Sequence, residues 1–117
     1  MADALRTLQQ RLAAFAAERD WQQFHSPKNL AMALSVEAAE VVEEFQWLTE
    51  AQSENLDADR RERVRLELAD VLIYLLRLAD RLDVDLLRAA EDKIEANARK
   101  YPAERVRGDA RKYTEYD

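Results

Sequence analysis

Glycine and proline are almost absent from this chain, and their scarcity limits the folds it can adopt more than any other feature. The 117 residues include one glycine and two prolines, whereas turn-rich β architectures use both residues repeatedly. Alanine, leucine, glutamate, arginine and glutamine are abundant instead, and these residues favour helices. The sequence therefore predicts an all-α fold, and its length predicts a single domain over residues 1–117.

Apolar spacing and capping residues predict a bundle of about four helices. The helices are expected at about residues 3–18, 27–48, 58–82 and 85–100. Ser26 is expected to cap the second helix, with Pro27 at its first position. Asp57 or Asp59 can cap the third helix. Residues 49–57 are polar and are expected to form a loop, and the C-terminal tail shows no clear periodicity.

The third predicted helix is apolar on nearly all sides. Its apolar positions are Val64, Leu66, Leu68, Val71, Leu72, Ile73, Leu75, Leu76, Leu78 and Leu82. One subunit of this size can hardly cover a helix on every side. We therefore expect a homo-oligomer in which two subunits pair their central helices.

The charge distribution argues against a nucleic-acid polymer as partner. The formal net charge is -6, whereas duplex binding normally needs a clustered basic surface. Between Lys93 and Tyr113, however, seven residues are basic and three are acidic. An acidic centre followed by a basic segment suits a metal-chelated polyphosphate.

Cysteine is absent from the chain, which excludes disulfides, thiolate zinc sites and a cysteine nucleophile. The start of the sequence does not resemble a signal peptide. No apolar run approaches the roughly 20 residues that span a bilayer. The expected location is therefore the cytoplasm, with no membrane partner.

Four acidic residues lie on or beside the apolar stripes of two predicted helices. Glu37 and Glu40 are three residues apart on the second helix, and Glu67 and Asp70 repeat this spacing on the third. Such a spacing places both acids of a pair on one helix face. Burying like charges costs several kcal/mol per ion unless a cation compensates them. Because Mg²⁺ prefers oxygen ligands, the pattern predicts a magnesium site.

Other interpretations of the four acids stay open on the residues alone. Glutamates at this spacing are common on solvated helix faces, as in a non-catalytic helical regulator. A ferritin-like di-iron site would need Glu-x-x-His pairs, but His25 is the only histidine and precedes the second helix. A metal-binding protein without nucleotide chemistry is a further alternative.

Several strings resemble a known family, the MazG-like all-α nucleotide pyrophosphohydrolases. The order EAAE (37–40) and ELAD (67–70) resembles the ExxE…ExxD signature of that family. Strings similar to its dCTP pyrophosphatase branch are RDWQQFHSPKNL (19–30), EEFQWL (43–48), ELADVLIYLL (67–76), NARKYP (97–102) and ARKYTE (110–115). Together they extend over nearly the whole chain.

The resemblance implies magnesium-dependent hydrolysis of a deoxynucleoside triphosphate between the α and β phosphates. The products would be a monophosphate and pyrophosphate. The best substrate would be dCTP or a 5-modified dCTP, and the cellular role would be the removal of unwanted nucleotides. The implied magnesium ligands are Glu37, Glu40, Glu67 and Asp70. Glu40 or Glu43 would be the general base. The implied assembly is a tetramer formed as a dimer of dimers.

The resemblance also implies a set of substrate contacts. Trp21 and Trp47 would flank the base, Asn97 would bond its edge, Tyr74 would line the sugar side, and Lys93 would contact phosphate. Further substrate contacts would come from His25, Lys28, Arg111, Lys112 and Tyr113. Either tryptophan has packing as its alternative role. Leu12 departs from the animal members, which carry a histidine of the base pocket there.

Overall fold

The computed structural model describes residues 3–110 and residue 114, and all of its regular structure is helical. In chain order the elements are α1 (Asp3–Glu18), a 3-10 turn η1 (Gln22–Phe24), α2 (Pro27–Phe45), α3 (Glu50–Ser53), α4 (Ala58–Arg81), α5 (Leu86–Lys100) and α6 (Ala103–Val106). The all-α prediction is confirmed. The four expected helices are present as α1, α2, α4 and α5.

The chain divides into two compact units. The first ends at Val84 and contains the helices α1 to α4, and the second begins at Asp85 and contains α5 and α6. The single domain expected for residues 1–117 stays a prediction. None of the helices in the described part of the chain combines the length and the apolarity needed to cross a membrane.

Side-chain caps begin the long helices where the sequence predicts them. Ser26 Oγ accepts a hydrogen bond from the Asn29 amide over 3.1 Å, with Pro27 at the first helical position. Asp57, rather than Asp59, caps α4, because its Oδ1 accepts from the Arg60 amide over 2.8 Å. Such caps satisfy amide groups that have no partner inside the helix.

The segment after α2 departs from the prediction. Helix α2 ends at Phe45, earlier than expected, and α3 forms where a loop was predicted. Thr49 Oγ1 accepts from the Gln52 amide over 3.1 Å, and Gln52 Oε1 accepts from the Thr49 amide over 2.9 Å. This capping box starts the short helix α3. The loop prediction for 49–57 was therefore wrong over α3, and α6 likewise adds a turn to the tail.

Helix α4 is the centre of the first unit, because both α2 and α1 pack against it. Gln9 on α1 donates from Nε2 to the carbonyl of Leu76 on α4 over 3.3 Å. Leu30 on α2 and Leu76 are the largest fully buried side chains. The buried apolar residues of the described chain are Ala16, Leu30, Val64, Leu76 and Ala79. This is a small core, with residues from α1, α2 and α4.

Large apolar side chains remain exposed on two of the packed helices. On α2 they are Met32, Val36 and Val42, and on α4 they are Leu66, Leu68 and Leu72. The apolar sides of α4 expected from the sequence are thus only partly covered within one chain. An exposed apolar surface of this kind is typical of a contact with another molecule.

Candidate active site

The packing of α2 against α4 brings four carboxylates together. Glu37 and Glu40 come from α2, and Glu67 and Asp70 come from α4. One carboxylate oxygen of each residue lies within 4.8 Å of those of the other three, and all four residues are partly buried. The three-residue spacing places each pair one turn apart on a single helix face. We call these residues the carboxylate cluster.

The carboxylate cluster leaves two oxygens without a compensating group. The Oε2 atoms of Glu37 and Glu67 are buried and have no hydrogen-bond partner. Burial raises the pKa of Glu37 to about 7, helped by hydrogen bonding with Glu40 and by repulsion from the other three carboxylates. Hydrogen bonding with Glu40, followed by burial and carboxylate repulsion, raises the pKa of Glu67. The fully ionised state of the carboxylate cluster is therefore unfavourable.

A divalent cation fits this donor set. The four donors are all carboxylate oxygens, and hard cations such as Mg²⁺, Ca²⁺ and Mn²⁺ prefer oxygen ligands. A cation among them would compensate the buried oxygens of Glu37 and Glu67, which lack any other partner. The arrangement therefore has both the ligand chemistry and the unsatisfied charge of a metal site.

Two neighbouring glutamates on α2 lie outside the carboxylate cluster. Glu44, which shares the helix face of Glu37, forms ion pairs with Arg63 over 3.2 Å and with Arg60 over 3.5 Å. The guanidinium of Arg60 also donates to the Glu44 carbonyl oxygen. Glu44 therefore joins the end of α2 to α4. Glu43, a predicted base, is exposed, and its catalytic role stays a prediction.

A cavity of about 190 Å³ lies in the first unit. Its lining residues are Leu12, Phe15, Ala16, Trp21, His25, Ile73, Tyr74 and Arg77. Three of these, Trp21, His25 and Tyr74, are predicted substrate contacts. Tyr74 follows Asp70 by four residues on α4, so the cavity begins about one helical turn from the carboxylate cluster. We call it the aromatic cavity.

Trp21 is held at the edge of the aromatic cavity by its neighbours. Its ring meets that of Phe15 edge to face, with centroids 5.7 Å apart and planes at 67°. The guanidinium carbon of Arg19 lies 3.5 Å from the centroid of the Phe15 ring. Trp21 nevertheless remains 44% exposed. An ordered ring with accessible surface is suited to stacking on a flat ligand.

Arg77 and His25 form a contact that the sequence did not reveal. Arg77 Nε donates to His25 Nδ1 over 3.4 Å, and Arg77 Nη1 donates to Asp80 Oδ2 over 3.2 Å. Arg81 Nε donates to the His25 carbonyl over 3.0 Å. Burial, followed by repulsion from Arg77 and Arg81, lowers the pKa of His25. In the sequence, Arg77 and Asp80 look like an ordinary surface pair three residues apart.

Two of the remaining predicted contacts belong to the first unit but do not line the aromatic cavity. Trp47 is 87% exposed, Lys28 is exposed on the first turn of α2, and neither lines the aromatic cavity. Lys93 and Asn97 lie on α5, in the second unit. The other predicted contacts, Arg111, Lys112 and Tyr113, fall outside the described residues. The roles of all seven stay predictions.

Comparison with known proteins supplies independent information. Residues 32–116 match the model of the MazG-like family. Over 105 residues the chain is 51% identical to dCTP pyrophosphatase 1 of Homo sapiens and 48% identical to that of Mus musculus. These alignments cover 88% of this chain and 62% of each relative. The chain thus spans less than two thirds of the length of these relatives.

A solved structure shares the fold. A pyrophosphatase from Archaeoglobus fulgidus superposes with a TM-score of 0.80 and 40% sequence identity, over 85% of this chain and 93% of that one. The family model covers most of the chain, including all four acids of the carboxylate cluster. This protein therefore belongs to the MazG-like family.

Proposed function

We propose that this protein is a magnesium-dependent nucleoside triphosphate pyrophosphohydrolase, which converts a dNTP to a dNMP and pyrophosphate. The observation that carries the proposal is the carboxylate cluster, in which four acids from two helices converge with buried, unpartnered oxygens. Such a cluster suits a cation that binds phosphate. Support for the reaction comes from relatives named dCTP pyrophosphatase 1 and from a pyrophosphatase of the same fold.

Glu37, Glu40, Glu67 and Asp70 would hold the magnesium. When bound, Mg²⁺ supplies positive charge that neutralises the triphosphate and makes water a better nucleophile. Glu40 or Glu43 would accept the proton of the attacking water. The two candidates differ in position, because Glu40 belongs to the carboxylate cluster whereas Glu43 is exposed three residues further along α2.

The aromatic cavity would take the base. Its volume of about 190 Å³ is below the roughly 300–1,000 Å³ of pockets for drug-sized ligands, so it suits a base better than a whole nucleotide. Trp21 and Tyr74 offer stacking surface there. Since Tyr74 follows Asp70 by one turn, a base in the cavity would leave its phosphates near the carboxylate cluster. The relatives' names favour dCTP as substrate, and a 5-modified dCTP is the alternative that the sequence resemblance implies.

The homo-oligomer expected from the sequence is part of the proposal. Exposed apolar residues on α2 and α4, such as Val36 and Leu68, need a covering partner. Trp47 is 87% exposed and does not line the aromatic cavity of its own chain. A neighbouring subunit would bring Trp47 to a bound base. A dimer of dimers would satisfy both requirements. The cytoplasmic location and the role in removing unwanted nucleotides stay predictions.

The test is a product analysis over a panel of dNTPs and NTPs, with and without magnesium. We expect magnesium-dependent cleavage that is strongest for dCTP or a 5-modified analogue. The products should be the monophosphate and pyrophosphate in equal amounts. Release of a diphosphate and orthophosphate would contradict cleavage of the α–β bond. Nucleotide binding without any cleavage would instead favour a non-catalytic metal- or nucleotide-binding regulator.

A further inference from the structure

A buried cation lies in the wall of the aromatic cavity. Arg77 is 5% exposed and lines the cavity beside Trp21 and Tyr74. Burying a guanidinium is costly unless its charge and its donors are compensated. Asp80 compensates this charge over 3.2 Å, but the reaction proposed above assigns no task to Arg77, so its position in the cavity wall needs an explanation.

The hydrogen bonds of Arg77 leave donors unused. A guanidinium carries five N–H donors. Nε donates to His25 Nδ1 over 3.4 Å, and Nη1 donates to Asp80 Oδ2 over 3.2 Å. Among the described residues, no acceptor binds Nη2. Arg77 therefore is more than nine-tenths buried, lines the aromatic cavity and has donors without a partner among the described residues.

The same contact defines the state of His25. Because His25 Nδ1 accepts from Arg77, the proton of a neutral ring must lie on Nε2. Burial and the two nearby arginines lower the pKa of His25, which favours this neutral ring at pH 7. Arg81 Nε donates a hydrogen bond to the His25 carbonyl oxygen over 3.0 Å. His25 is thus an acceptor at Nδ1, and with Asp80 it fixes the position of the Arg77 guanidinium.

The rest of the cavity wall is mostly hydrocarbon. The lining residues without any polar side-chain atom are Leu12, Phe15, Ala16 and Ile73. Such a surface binds the faces and edges of a ring but does not distinguish one hydrogen-bonding pattern from another. Among the side chains that line the cavity, discrimination between bases falls to the polar ones, of which Arg77 and His25 are adjacent.

We propose that Arg77 is a specificity-determining residue, whose free N–H donors select a base edge that presents hydrogen-bond acceptors. This inference rests on the proposed function, since it takes the aromatic cavity as the place where the base binds. Cytosine presents two adjacent acceptors, N3 and O2, whereas uracil carries an N3–H donor between its two keto oxygens. Two neighbouring donors therefore fit cytosine and leave uracil with a donor facing a donor.

The test is calorimetric binding of dCMP and dUMP without divalent metal, so that it does not depend on catalysis. We expect the native protein to prefer dCMP. Arg77→Met should reduce this preference by about tenfold or more, the usual worth of a hydrogen bond to a charged group. The control is Arg65→Met, which removes an exposed arginine of α4 that pairs with Glu62 over 2.8 Å. It should keep the native preference.

Three results would overturn the inference. The first is that Arg77→Met weakens the binding of dCMP and of dUMP equally, as expected of a phosphate contact. The second is an unchanged preference in that variant. The third is that the native protein does not bind dCMP. Should Arg77→Met fail to fold, Arg77→Lys takes its place with the same expectation, because lysine keeps the charge but lacks the planar fork.

The hydrolase activity and the base selection by Arg77 can be refuted independently of each other. A native protein that shows the Arg77-dependent preference but cleaves no triphosphate would refute the hydrolase and leave the base selection standing. Conversely, magnesium-dependent cleavage by a protein whose base preference does not depend on Arg77 would refute the base selection alone.

Discussion

Glu37 on α2 and Glu67 on α4 bring carboxylate oxygens within 4.8 Å of each other, and each residue keeps one buried oxygen without a hydrogen-bond partner. Two like charges in this position destabilise the fold unless a proton or a cation lies between them. Metal binding, protonation and folding are therefore coupled through this pair.

Magnesium should raise the melting temperature of the native protein. A ligand that binds only the folded state stabilises it by about 2.7 kcal/mol at a hundredfold excess over Kd, which corresponds to several degrees for a domain of this size. The measurement is thermal unfolding with chelator and with saturating magnesium. Glu67→Gln should lose most of the shift, whereas Glu62→Gln, an exposed position on the same helix, should keep it. An unchanged melting temperature in the native protein would contradict the metal site.

Without metal, stability should increase as the pH falls from about 7 towards 4.5. The pKa of Glu37 is raised from an ordinary 4.5 to about 7, so the folded state binds protons more tightly than the unfolded state in this window. The stabilisation is complete below the unfolded value and is lost as the pH rises through the folded one. Its size should be about 1–3 kcal/mol.

Urea unfolding in the presence of chelator measures this pH dependence. Glu37→Gln removes the titrating group and should flatten the profile between these pH values. The same substitution should make the metal-free protein more stable than the native chain near neutral pH. A native protein that loses stability steadily from pH 7 to pH 5 would disagree with the raised pKa of Glu37.

Glutamine substitutions should separate the metal ligand from the base. Glu43 is exposed outside the carboxylate cluster. If Glu43 accepts the proton, Glu43→Gln should lower kcat by roughly 10²–10⁴-fold while the magnesium concentration for half-maximal activity stays unchanged. Glu40→Gln should weaken magnesium binding and should also lower kcat. A native rate in Glu43→Gln would leave Glu40 as the base.

The local part of this structure was predictable from the sequence. The caps at Ser26 and Asp57 and the spacing of the four acids involve residues within a few positions of one another. The capping box of α3 was equally local, with Thr49 and Gln52 three residues apart, yet it lay in a segment whose polarity suggested a loop. Convergence of the two acidic pairs needed only that α2 and α4 pack together.

The tertiary part was not predictable in this way. Arg77 contacts His25 across 52 positions of sequence, and no periodicity or spacing rule relates such residues. The ion pair of Glu44 with Arg63 likewise depends on how α2 lies against α4. From the helix pattern alone Glu44 belongs to the acidic face, and only the packing separates it from the four acids of the carboxylate cluster.

The exposed apolar surface of α4 should mediate self-association. Leu68 is 54% exposed, and placing a charge there should cost little within one chain but should disrupt a contact between subunits. Light scattering coupled to gel filtration should show an oligomer for the native protein and a smaller species for Leu68→Glu. Arg61→Glu, at an exposed polar position of α4, should keep the native mass. A monomeric native protein would refute the association.

The most direct test of the central claim is pyrophosphate release from dCTP by the native protein, Glu67→Ala and Glu62→Ala, each with and without magnesium. Both substitutions remove a glutamate from α4, but only Glu67 belongs to the carboxylate cluster. We predict magnesium-dependent release by the native protein and by Glu62→Ala, and loss of release in Glu67→Ala with its helix content unchanged. Equal release by all three proteins, or release that does not require magnesium, would contradict the assignment of the carboxylate cluster as the metal site of a pyrophosphohydrolase.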